Sequence, residues 1–215
     1  MSNYDKMLAA SQALFLEHDQ EAMIRRWALE HDGDYLYADY FGQRLRIDRH
    51  TGEVSHAAEP APGEYRAESF VDDGMALFDL LTLSPTRPRA AGVWSGISTL
   101  GGIIGAGHDR SLSHEPTAAQ FAGRTGDLAR ACERLGGVRE GKADVGYAIP
   151  AFRDFRVLFQ FWDADDEFPA NIKYLFDANA LRFMHYETLW YTMNSLTRRL
   201  EFYANGSAAE GPSPR

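Results

Sequence analysis

The stretch from Val145 to Tyr203 constrains the fold more than any other, because its apolar pattern changes period partway through. Val145 to Pro150, Arg156 to Trp162 and Asn171 to Phe176 are short runs rich in β-branched and aromatic residues, which read as strands. The last two flank an acidic turn. Tyr186, Leu189, Met193, Leu196, Leu200 and Tyr203 then recur at steps of three and four, which places apolar side chains on one stripe of a helix. Strands in succession, followed by a helix without regular β-α alternation, point to an α+β fold with an antiparallel or mixed sheet.

The N-terminal half adds elements of both kinds. Asn3 to Glu30 contains no Gly or Pro, and Tyr4, Met7, Leu8, Leu14, Phe15, Met23, Ile24 and Trp27 gather toward one side of a helix. This predicts one long helix, or two with a break near His18-Asp19. A turn at His31 to Asp34 introduces Tyr35 to Phe41, which pairs as a hairpin with Arg44 to Asp48 across Gly42-Gln43. Leu45 and Ile47 alternate with Arg44, Arg46 and Asp48, so the second strand has one wet face. Residues 56–67 read as a surface connection, and residues 71–83 as a helix stopped by Pro85 and Pro88. The six glycines of residues 90–111 predict an irregular loop with one or two short strands. One helix is expected from Pro116 to Leu135, with Ser113 as cap and Gly136-Gly137 as stop. The expectation is a single α+β domain over residues 1–204, with a long N-terminal helix, an amphipathic C-terminal helix and a disordered tail over 205–215.

Charge and cysteine usage exclude several classes of function. Asp and Glu number 31 against 22 Lys and Arg, a net charge of −9, so no general attraction to nucleic acid or anionic membrane is expected. The lone Cys132 rules out an internal disulfide and any iron–sulfur cluster ligated by this chain alone. No apolar run approaches the ~20 residues that span a bilayer, and the opening MSNYDKML has no basic-then-apolar pattern. A cytoplasmic location follows as an expectation. Oligomeric state is left open.

Three segments are candidates for chemistry. Asp163-Ala164-Asp165-Asp166-Glu167 crowds carboxylates that a divalent cation would stabilise, and Asp163 and Asp166 could join Asp177 in one site. The ordinary reading is a solvated hairpin tip. His108 and His114, beside Asp109 and Glu115, could supply two more ligands or an acid–base pair, or be loop histidines near a helix start. The run Gly101 to Gly107, with Gly101 and Gly105 as the candidate ligand-binding positions, could cradle an anion with its amides, although it matches neither phosphate-binding glycine motif. Trp94 and Trp162 are candidates for a pocket rim, the alternative being that the strand aromatics fill a core. Ser95 lacks a nucleophile elbow, and Cys132 falls on an apolar helix face.

Residues 149–200 carry a fixed order of features. An apolar strand ends at Trp162, followed by Asp166-Glu167-Phe168-Pro169, a strand reaching Leu175-Phe176-Asp177, Ala180 and a closing helix. In this the chain resembles the C-terminal half of domain-of-unknown-function family 3786, a bacterial and archaeal family found largely in anaerobes. Tyr40-Phe41-Gly42, Thr51-Gly52-Glu53 and Gly92-Val93-Trp94-Ser95 extend the resemblance over roughly residues 30–203. Two features depart from the pattern: Val93 stands where relatives tend to have Glu before Trp, and His185-Tyr186-Glu187-Thr188 replaces their helix cap. The resemblance implies no activity. Some relatives resemble or are fused to four-cysteine iron–sulfur modules, which implies a setting in anaerobic cofactor or one-carbon chemistry, and this chain lacks those cysteines. The expected function is a non-catalytic accessory domain that binds a small molecule or a protein of cofactor metabolism. The alternative is a metal-dependent, hydrolase-like enzyme using the acidic turn and the histidine loop.

Overall fold

The N-terminal segment forms two helices, α1 (Asn3–Glu17) and α2 (Gln20–Trp27), in a computed structural model that describes residues 3–57, 64–67, 71–102 and 115–206. The break falls at His18-Asp19 because Asp19 leaves the helix and its side chain accepts the Ala22 N–H, capping α2. A meander of antiparallel strands follows: β1 (Glu30–His31), β2 (Tyr35–Tyr40), β3 (Gln43–Asp48), β4 (Val54–Ala57) and β5 (Tyr65–Ala67), lying side by side in sequence order. Residues 65–67 thus correct the expectation of a plain connection over 56–67. Their backbone completes the edge of a sheet, with Ala57 opposite Tyr65. Helix α3 (Val71–Thr82) buries Ala76, Leu77, Phe78, Leu80 and Leu81, and its Phe78 ring meets Phe15 of α1 at 5.4 Å.

The rest of the chain builds a second antiparallel sheet. Its strands are β6 (Trp94–Gly96), β7 (Val138–Arg139), β8 (Val145–Phe152), β9 (Phe155–Trp162) and β10 (Asn171–Asp177), in spatial order β6-β10-β9-β8-β7. A 3-10 helix (Ile97–Gly102) follows β6. The helix expected over 116–135 is two, α4 (Glu115–Phe121) and α5 (Thr125–Arg134). Gly123, at a φ of 71°, turns the chain between them, and the Arg124 N–H closes onto the Phe121 carbonyl. The stop at Gly136-Gly137 is as expected, with the Gly137 N–H on the Cys132 carbonyl at 2.9 Å. Ser113 and residues 103–111 of the glycine-rich stretch lie outside the described residues. The fold is α+β, with six α-helices and two wholly antiparallel sheets among the described residues.

The chain divides into two compact units, one of residues 1–89 and 182–196, the other of 90–181 and 197–208. The C-terminal helix α6 (Tyr186–Ala204) gives its first half to one and its second half to the other. In the first unit, α6 is tied to α3 by Ser195 donating to the buried Asp73, and its start is held by Asp79 accepting the His185 N–H. In the second, period-two alternation in β9 puts Phe155, Val157, Phe159 and Phe161 into a core, each at most 1% exposed. Phe121 of α4 meets Phe161 edge-on, and Tyr174 of β10 lies 5.5 Å from Phe159. Pro150 sits where β8 has passed the end of β7, beside an irregularity between Pro150 and Phe152, so its missing N–H costs no ladder bond to a neighbour on that side.

Candidate functional site

Alternation along β2 and β3 sorts the first sheet into two faces. Leu36, Ala38, Leu45 and Ile47 are buried on one. On the other, Tyr35, Tyr37 and Asp39 stand opposite Asp48, Arg46 and Arg44. The register carries this face onward, pairing Arg46 with Ser55 and Ala57 with Tyr65. The Arg46 guanidinium carbon lies 4.1 Å from the Tyr35 ring centroid and 4.1 Å from that of Tyr65, so two phenol rings pack against the cation. Its Nε donates to Ser55 Oγ at 2.9 Å, which fixes the plane. Arg44, one pair further along, is committed to Asp39 and Glu30.

Arg46, Tyr35, Tyr65 and Ser55 line a cavity of about 410 Å3, whose wall also includes Gln12 of α1 and Gly74 of α3. Glycine inside a helix costs about 1 kcal/mol relative to alanine. A Cβ at Gly74 would stand 3.1 Å from Leu8 Cδ1 and 3.9 Å from Val54 Cγ2, so alanine would push on Leu8 and take space from the cavity wall. Asp48 and Glu53 line the same cavity. Asp48 is committed to the turn after β3: burial raises its pKa, but the His50 and Thr51 N–H groups, each 2.8 Å from Oδ1, outweigh that and hold it below the usual carboxylate value. The wall therefore offers a cation fixed in one plane, phenols, an amide and the exposed Glu53 carboxylate. Each of these groups can engage polar atoms of a bound molecule.

Tyr37, on the same face, donates to Asp32 Oδ2 at 2.7 Å, while Asp32 Oδ1 accepts the Asp34 and Tyr35 N–H groups. The Tyr37 hydrogen bond lowers the Asp32 pKa, and Asp32 pushes the Tyr37 hydroxyl up to about 12. The raised value means that the fold favours the protonated phenol. That contribution is complete below the ordinary phenol value of 10.0 and is lost as pH rises through about 12. Titrating phenolate absorbance should therefore show a Tyr37 step near pH 12 that Asp32→Asn moves toward 10.0, while Tyr147 and Tyr174, raised chiefly by burial, are left where they are. An unchanged titration in that variant would show that Asp32 does not hold the hydroxyl.

The residues singled out from the sequence lie elsewhere. Trp94, in β6, donates from its indole to Glu140. Glu140 belongs to a turn packed tightly on β8, where a Cβ on Gly146 would stand 2.3 Å from the Glu140 carbonyl oxygen. Trp162 ends β9, opposite Asn171. Gly101 is the last residue but one of the 3-10 helix, while Gly105, His108 and His114 lie outside the described residues. In the acidic turn, Asp163 accepts the Gly123 N–H at 2.9 Å and Asp165 accepts those of Glu167 and Phe168. Asp166 is exposed. Asp177 is 6% exposed and accepts the N–H groups of Ala91, Gly92 and Asn179, each at 2.8 Å.

Trp162 pairs with Asn171 and Trp94 with Asp177. The two pairs sit at opposite ends of β10, about 20 Å apart at ~3.3 Å per residue. The structure thus brings Trp94 to Asp177 but brings neither Trp162 nor Asp163 to them. Among the described residues, no group of three or more His, Cys, Asp or Glu is placed to hold a metal ion. Cys132 is buried, and desolvation pushes its thiol pKa up, which keeps it in the unreactive thiol form. Sequence reasoning found the wet face of β3 but missed the clamp, because Tyr65 fell in a segment without periodicity.

A family model described as domain of unknown function (DUF3786) matches residues 19–199, and the chain belongs to that family. No curated protein and no solved structure matches the chain. No described helix is long and apolar enough to cross a membrane.

Proposed function

We propose that this member of a family without an assigned activity is a non-catalytic binding protein, and that its ligand is a small molecule held in the cavity of the first unit. The observation that carries the reading is the Arg46 clamp on the wall of a cavity of about 410 Å3, a size within the ordinary range of small-molecule sites. Gly74 supports it, because a helix-interior glycine on the wall gives up helix stability and leaves room. A setting in anaerobic cofactor or one-carbon metabolism belongs to the proposal only through the family resemblance.

The test is a fragment screen by ligand-observed NMR on the parent protein and on Gly74→Leu, with circular dichroism as the check on folding. Fragments that bind the parent should lose about tenfold or more in affinity when the leucine side chain fills the wall, equivalent to at least about 1.4 kcal/mol. Hits that bind both proteins equally, or no hits at all, would refute the reading.

A further inference from the structure

We infer that the ligand of this cavity carries a single oxyanion group, a carboxylate or a phosphate, bound edge-on by the Nη groups of Arg46. The inference rests on the cavity being the binding site. Arg46 can be engaged at its guanidinium faces, at Nε and at its Nη edge. The rings of Tyr35 and Tyr65 pack against its guanidinium, and Ser55 takes its Nε. What remains is the Nη edge, and among the described residues Arg46 hydrogen bonds to Ser55 alone. The other arginines of β3 and the turn after it are committed differently. Arg44 pairs with Glu30 and Asp39, while Arg49 bonds Gln20, Glu21 and the Asp32 carbonyl. Asp32 is close enough to Arg46 for the two charges to interact but makes no hydrogen bond to it.

A guanidinium locked in one plane with its edge free matches the fork geometry of a carboxylate or phosphate, and holding it there in advance removes the entropy that a mobile arginine would lose. The charges around it limit the remainder of the ligand. Glu53 lines the same cavity and would repel a second anionic group, while Gln12 can bond an uncharged polar one. The ligand class is therefore one with a single oxyanion group and a remainder that is neutral or cationic.

The experiment titrates three probes of similar size into the full chain: benzoate, phenyl phosphate and the neutral benzamide. At least one anion should bind about tenfold or more tightly than benzamide, and the tighter of the two identifies the oxyanion. That preference should vanish in Arg46→Gln and shrink in Arg46→Lys, which keeps the charge but loses the fork. If Arg46→Gln fails to fold by circular dichroism, Arg46→Lys carries the test. Benzamide binding as well as the anions, or anion affinity undiminished in the Arg46 variants, would overturn the inference. In that case all three probes should still weaken in Gly74→Leu if the cavity reading is sound. No binding by any probe would remove both.

Discussion

Phe159→Ala is expected to lower the stability of the second unit by about 3–5 kcal/mol, the range for emptying a fully buried aromatic site. Phe159 is 0% exposed and central in its sheet, with Tyr147 opposite on β8 and Tyr174 opposite on β10. Its neighbours cannot close the gap cheaply. Tyr174 is tied through its hydroxyl to Thr197 of α6, and Tyr147 through its own to Glu133 of α5. Both rings are thus held from outside the sheet, and the space left by the phenyl group would persist as a cavity. Chemical denaturation followed by far-ultraviolet circular dichroism measures the loss. Arg156→Ala is the control, an exposed position on the same strand where about 0.5 kcal/mol or less is expected. A loss at Phe159 below about 1 kcal/mol would mean that the core relaxes around the deletion.

Asp177→Ala is expected to cost about 3 kcal/mol, because three backbone donors lose a charged acceptor at once. The carboxylate joins the approach to β6 to the end of β10, while the Ala178 N–H bonds the Val93 carbonyl close by. Removing it leaves the Ala91, Gly92 and Asn179 N–H groups to compete for water at a site that is 6% exposed. Asp177→Asn should fall between parent and alanine, since the amide keeps one acceptor oxygen and turns the other into a donor. The same variants separate this structural role from metal ligation. Magnesium at millimolar concentration should leave the melting temperature of parent and variants alike unmoved. A magnesium-dependent rise in the parent that disappears in Asp177→Ala would assign the carboxylate to a metal instead.

The contrast between Asp177 and Arg46 shows which parts of the molecule were legible in advance. Asp177 stood out because carboxylates crowd the hairpin before it, yet its role depends on where residues 91–92 run, some 85 positions away. In the sequence, Arg46 is only one polar position on a wet strand face. Its neighbour on one side, Tyr35, is local to the hairpin, but Tyr65 arrives through two further strand pairings beyond a Pro- and Gly-rich stretch. The helix expected over 116–135 divides into α4 and α5 for a related reason. A glycine in a helical pattern is tolerated or breaks the helix according to what packs beside it, and at Gly123 the side chain of Asp163 holds the freed N–H.

By itself, then, the amino-acid sequence determined most of the elements: the hairpin of β2 and β3, the strands around the acidic turn and the helix from Tyr186, while a break near His18-Asp19 was one of two readings left open. Each is written in a period of two or about 3.6 residues, or in a cap, over distances that neighbouring residues control. Tertiary structure alone decided that α1, α3 and the four strands β2 to β5 line a cavity with one arginine held in its wall. Leu8 and Gly74 meet there from positions 66 residues apart in the sequence, and no periodicity connects them. What connects them is close packing, which depends on the shapes of both partners together and so cannot be read from either segment alone.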